Sequence, residues 1–121
     1  MSSENLAQVA KFETLRSIAE ASLNTTTYTA IGAALVNPAR LLHITNTTDV
    51  NVFISFDGTN AHAIVITSGF VLYDLTANKS LSSVGGLYIP ANTTIYAKLA
   101  ASATTGSVYV GVMYGFTGAS I

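Results

Sequence analysis

The chain has 121 residues, a formal charge of −1 and no cysteine, and 50% of it is hydrophobic while only 9% is charged. That length suits one domain, the lack of cysteine excludes disulfides, thiolate catalysis and cysteine-bound zinc, and five basic residues spread from Lys11 to Lys98 draw no stripe for nucleic acid. Average soluble domains carry roughly a quarter charged residues, so Thr, Ser, Asn and Ala must cover this surface, which can be desolvated against a partner at low cost.

In chain order, the first twenty residues hold Glu4, Lys11, Glu13, Arg16 and Glu20, a crowding of charge found nowhere else. Ser3 to Phe12 has helix-forming residues with Leu6, Val9 and Ala10 at helical spacing. Leu15 and Ile18 fall on the far side of that wheel, so the expectation is a short helix or loose arm over residues 1–13, followed by a strand from about Thr14 to Ser22. The domain proper is expected over 14–121. Leu6, Val9 and Phe12 are candidate partner-binding residues, since a solvated arm gains nothing by exposing them.

After Leu23 the apolar period becomes two. Tyr28–Leu35 is a strand closed by Asn37-Pro38, a dipeptide that disfavours helix and fixes a bend. Arg40–Asn46 is the next strand. Thr47-Thr48-Asp49 turns the chain into Val50, Val52, Ile54 and Phe56, four apolar residues on one face. Asp57-Gly58 is a hairpin signal, and Ala61–Ile66 returns. Phe70–Leu75 follows Ser68-Gly69, then Thr76–Gly86 is the longest loop. Leu87–Ile89, Thr93–Leu99 and Ser107–Tyr114 complete the pattern, the last with Val108, Val110 and Val112 on one side. Eight or nine short antiparallel strands with no helical pattern between them predict an all-β fold, a β-sandwich of jelly-roll type. The rows Val50–Phe56 and Val108–Val112 are the expected core.

Residues that carry chemistry are sparse. Asp49 and Asp57 sit at turns, where a carboxylate caps its own backbone. Asp74 shares strand parity with Phe70 and Leu72, so it either turns towards the core and pairs with Arg40 or faces water. His43 and His62 lie on separate strands without a third ligand at metal spacing, and no nucleophile motif of the G-x-S-x-G kind occurs. No catalytic residue, metal or cofactor is expected. Four N-x-[ST] sequons at Asn24, Asn46, Asn78 and Asn92 read as Asn-Thr-rich turns. The six tyrosines are spread over many strands, which suits interfaces and sheet edges better than one sugar-stacking face.

The blocks Tyr28-Thr-Ala-Ile-Gly, Asn37-Pro-Ala-Arg-Leu-Leu-His-Ile, Ser55-Phe-Asp-Gly, Phe70-Val-Leu-Tyr-Asp and Ile95-Tyr-Ala-Lys together resemble small virion structural proteins of tailed bacteriophages. The likeness covers about residues 25 to 114. It implies a jelly-roll-like cement or decoration protein on the capsid exterior, binding the major capsid protein or other virion proteins, made in the bacterial host cytoplasm and resident in the virion. A collar, neck or tail-attachment protein is the neighbouring expectation, and a carbohydrate-binding β-sandwich module for host glycans is the alternative of another class. A net charge near zero protects a monomer poorly, so a homo-oligomer is expected, a trimer before a dimer, with no nucleic-acid or membrane partner: no run of about 18 apolar residues is present.

Overall fold

The structure, a computed structural model, describes residues 8–75 and 88–117, with only the backbone described at 8, 9, 116 and 117. Among them are nine strands: β1 Gln8–Phe12, β2 Arg16–Ala19, β3 Thr29–Ala30, β4 Ala39–Asn46, β5 Val52–Ser55, β6 Ala63–Val65, β7 Phe70–Asp74, β8 Tyr96–Leu99 and β9 Ser107–Thr117. No α-helix is among them, and a single 3-10 turn, Glu20–Ser22, follows β2. The strands form two antiparallel sheets. One has the order β1-β9-β4-β7 with β2 also on β9, and the other the order β3-β8-β5-β6. The fold is all-β, a β-sandwich of five strands on four.

Pairing is nested. β2 pairs with β9, β3 with β8, β4 with β7 and β5 with β6, so the chain runs as one long hairpin whose strands alternate between the layers. The core lies between them. Leu42, Ile44, Val108 and Val110 of the first sheet are fully buried against Val52, Ile54, Ala97 and Val65 of the second, with Ile31, Leu35 and Ile95 closing the ends. Each such aliphatic contributes about 1.5–3 kcal/mol on leaving water. Both expected core rows are therefore in the core, with Val50 and Phe56 partly buried at its margin.

Three expectations are corrected. The helix or loose arm does not extend through Phe12: residues 8–12 form β1, paired on β9 from Gln8↔Thr117 to Phe12↔Met113, so the 13/14 boundary cuts through a sheet. The reason is that β9 continues to Thr117, past the Tyr114 end read from the sequence, and its last residues offer a ladder that outweighs local helix propensity. Residues 1–7, with Leu6, lie outside the described residues. The stretch Tyr28–Leu35 keeps only two strand residues, Thr29–Ala30, because Gly32 takes a left-handed φ of 70° that turns the chain aside. Leu87–Ile89 is reduced over its described part to one bridge, Ile89 on Ala39. The expected loop Thr76–Gly86 lies outside the described residues.

On β7 the parity is as expected, and of the two facings left open the outward one is found. Phe70, Leu72 and Asp74 are exposed, while Val71 and Tyr73 turn inward. Asp74 does not point to the core, and Arg40 Nη2 donates to the Leu75 carbonyl at 3.1 Å. Four consecutive apolar residues, Phe70 to Tyr73, carry no polar contrast that could tell the inner face from the outer.

Candidate functional site

β1 and β2 lie end to end along one edge of β9, with a corner between them at Glu13 to Leu15. The Glu13 amide still donates to the Val112 carbonyl at 3.1 Å, which keeps the corner on the sheet. Its carboxylate accepts from Arg16 Nη2 at 2.8 Å, from the Asn37 amide at 2.7 Å, from Asn37 Nδ2 at 3.0 Å and from the Val36 amide at 3.1 Å. Arg16 in turn donates to the carbonyls of Ala33 and Ala34 at 2.8 and 3.0 Å. The pair thus fastens the 33–37 bend to the edge of the first sheet, with side chains only 6% and 9% exposed. Burial works against the charged Glu13, yet the hydrogen bonds from Arg16, Asn37 and Val36 outweigh it and hold the carboxyl below its ordinary range.

Around this polar knot stand apolar side chains facing water. Phe12 is 72% exposed, Val36 74% and Leu15 60%, and with Tyr114 they rim an open groove of about 410 Å3. Large apolar groups held rigidly at a surface mark a contact site more often than a lone exposed residue does. Of the three partner-binding residues expected from the sequence, Phe12 is in this groove. Val9 is placed by its backbone alone, opposite Phe116, and Leu6 is outside the described residues. Val36 and Leu15 were missed. An apolar residue directly before Asn37-Pro38, at a bend that cannot bury it, was the available signal for Val36.

A second groove, of about 460 Å3, lies between Phe56, Tyr73, Tyr88, Ile89 and Pro90. Phe56 meets Tyr73 edge-on at 5.7 Å, an arrangement aromatic quadrupoles favour. Two of the six tyrosines meet here. Tyr28 and Phe53 instead flank Lys98 Nζ at 4.8 and 5.8 Å, and Tyr96 packs at Gly58.

Asp57, His62 and Asp49 have structural occupations. Asp57 Oδ1 accepts from the amides of Thr59 and Asn60 at 2.8 and 2.9 Å, the turn cap expected of it, and these bonds with Asn60 Nδ2 keep its carboxyl strongly acidic. Ser55, Asp57 and His62 are neighbours, yet their order is wrong for nucleophile activation, which needs the histidine between the other two. Ser55 Oγ donates to Asp57 Oδ1 at 2.9 Å and accepts from the Gly58 amide at 2.9 Å, while His62 Nδ1 accepts the Phe56 amide at 3.0 Å. This is a locked turn. Asp49 does more than cap its own backbone: it accepts from the Thr104 amide at 3.0 Å and Thr104 Oγ1 at 2.7 Å, tying two loops together, and the bonds from Thr104, with a smaller one from its own amide, lower its pKa.

Among the described residues no group of three His, Asp or Glu is placed to hold a metal, and no helix is long and apolar enough to cross a membrane. Of the sequons, Asn46 is fully buried and Asn24 Oδ1 accepts from the Thr26 and Thr27 amides at 2.9 and 2.7 Å, so both are built into turns. Asn78 is outside the described residues. No protein-family model matches the chain, and no curated protein or solved structure is significantly similar to it.

Proposed function

We propose that the chain is a structural component of a bacteriophage particle, a cement or decoration protein that binds the capsid exterior and stabilises the shell. The observation that carries this reading is the nested pairing of β2 with β9, β3 with β8, β4 with β7 and β5 with β6, which supports a jelly-roll reading of the sandwich, an architecture frequent in capsid proteins. Because one fold hosts many functions, the surface matters as much. Phe12, Leu15 and Val36 stand exposed around a rigid corner, suited to a permanent contact with the major capsid protein, and a 9% charged composition makes desolvating the surroundings inexpensive. Self-association of the chain multiplies weak contacts on a repeating lattice. In this reading the protein is made in the bacterial cytoplasm, acts in the virion and performs no catalysis.

A collar, neck or tail-attachment role uses the same rigid unit at another position. The groove of Phe56, Tyr73 and Tyr88 favours a second reading, a host-glycan-binding module, because aromatic rings stack on sugar faces. Immunogold labelling of purified particles from the producing phage separates these. Label over the shell is expected. Label confined to neck or tail moves the reading to attachment, and particles without label, together with retention on a glycan array lost in Tyr88→Ala, overturn it in favour of the sugar module.

A further inference from the structure

The turn between β5 and β6 holds a histidine ring in one protonation form. The backbone of His62 is fixed, since its amide donates to the Ile54 carbonyl at 2.7 Å, so only the side chain has room to swing. Ring Nδ1 accepts the Phe56 amide at 3.0 Å. An imidazole nitrogen that accepts carries no proton, so the neutral ring has its hydrogen on Nε2. That nitrogen lies 3.8 Å from Asp57 Oδ2, too far for a hydrogen bond. Phe56 links the turn to the rest of the sandwich. Its ring stands 5.8 Å from the imidazole and 5.7 Å from Tyr73 on β7, packs against the core and forms part of the wall of the groove of about 460 Å3.

We infer that His62 is a proton-operated latch on Phe56: a second proton on the imidazole releases the Phe56 amide, swings the ring towards Asp57 and loosens the Phe56 wall of the groove. The device is independent of the capsid reading. The proton comes from water and has one place to go, Nδ1, where it meets the Phe56 N–H donor against donor. An imidazolium accepts from nothing, so the exposed amide turns to water and the cationic ring gains by closing the gap to Asp57 Oδ2. That oxygen carries a bond from Asn60 Nδ2 at 2.9 Å and keeps lone-pair capacity for another. Asp57 is charged throughout, because bonds from the Asn60 amide and side chain, the Thr59 amide and Ser55 Oγ hold its carboxyl far below the histidine range. The titratable groups contributed by the neighbouring strands are phenols, which carry no charge at neutral or acid pH: Tyr96 of β8 lies against Gly58, and Tyr73 of β7 meets Phe56.

The 15N–15N coupling across the hydrogen bond from the Phe56 amide to His62 Nδ1 reads the latch directly in labelled protein. At about pH 8 the coupling is expected, with the ring protonated on Nε2 alone, and by about pH 5 it should vanish, following the His62 ring resonances. The Phe56 amide and Tyr73 ring signals should shift with the same midpoint. His62→Gln should abolish both shifts, whereas His43→Gln should leave them. A ring protonated on Nδ1 at the higher pH, a coupling that survives protonation of the ring, a ring still neutral at the lower pH or a Tyr73 signal that ignores pH would each overturn the latch.

Discussion

The Glu13 carboxylate receives Arg16 Nη2 at 2.8 Å, and this one contact decides how the edge formed by β1 and β2 is joined to the bend before β4. Glu13 also accepts from Val36 and Asn37, so removing it strands several donors and an arginine at once. Glu13→Ala should cost about 2–3 kcal/mol, lowering the thermal midpoint by on the order of 5–10 °C. Equal midpoints for variant and parent would show that the corner is held by something else.

The same group sets an acid dependence. Its folded pKa lies below the ordinary glutamate value of 4.5, so its contribution is complete above that value and is lost as pH falls through the folded pKa. The midpoint difference between the parent and Glu13→Gln should be constant above about pH 5.5 and shrink below about pH 4.5. A difference of constant size down to pH 2 would mean that charge is irrelevant to the clamp.

Asn46 is fully buried at the end of β4. Its Nδ2 donates to the carbonyls of Val50 and Val65 at 2.8 and 3.0 Å, and its Oδ1 accepts from the Thr48 amide and hydroxyl. Asn46→Ala should cost about 2–4 kcal/mol by orphaning these groups. Asn46→Asp should be worse at neutral pH, because it sets a carboxylate against carbonyl oxygens, and should recover in part at acidic pH as the group protonates. Denaturant unfolding that ranks Asp above Ala at pH 7 would contradict this geometry.

Gly106 has φ 96°, and a Cβ there would run into the backbone of Thr47 and Thr48. Gly58, at φ 82°, would meet only the ring of Tyr96 at 3.2 Å, which can move. Both substitutions are strained by the left-handed φ, but Gly106→Ala should lower the midpoint well beyond Gly58→Ala, since backbone cannot give way as a side chain does. Similar losses would refute the close approach.

Truncation tests whether the N-terminal segment belongs to the sheet. Deleting residues 1–12 removes the β1 ladder on β9 and should lower the midpoint by several degrees, contrary to the behaviour of a free arm. Phe12→Ser, at a position 72% exposed, should leave the midpoint within about 1 °C and weaken particle attachment. An unaltered attachment of Phe12→Ser would remove Phe12 from the partner surface.

What the sequence determined by itself was the all-β class and the inward rows, because alternation of apolar with polar residues is a local property of a half-buried strand. Val52, Ile54, Val108 and Val110 needed no neighbour to be read. The groove at Phe12 was legible only through the exposed phenylalanine. Glu13 and Arg16 could be read as charges, but their shared hold on Val36, Asn37, Ala33 and Ala34 joins positions some twenty residues apart and exists only once β1 and β2 have both settled on β9. Tertiary structure alone decided that residues 8–12 are strand, since their partner is the far end of the chain. It also decided which way β7 faces: Phe70-Val-Leu-Tyr is apolar on both sides, and only the register of β7 on β4, with Val71 opposite buried Ile44 and Tyr73 opposite buried Leu42, turns Phe70 and Leu72 outward to water.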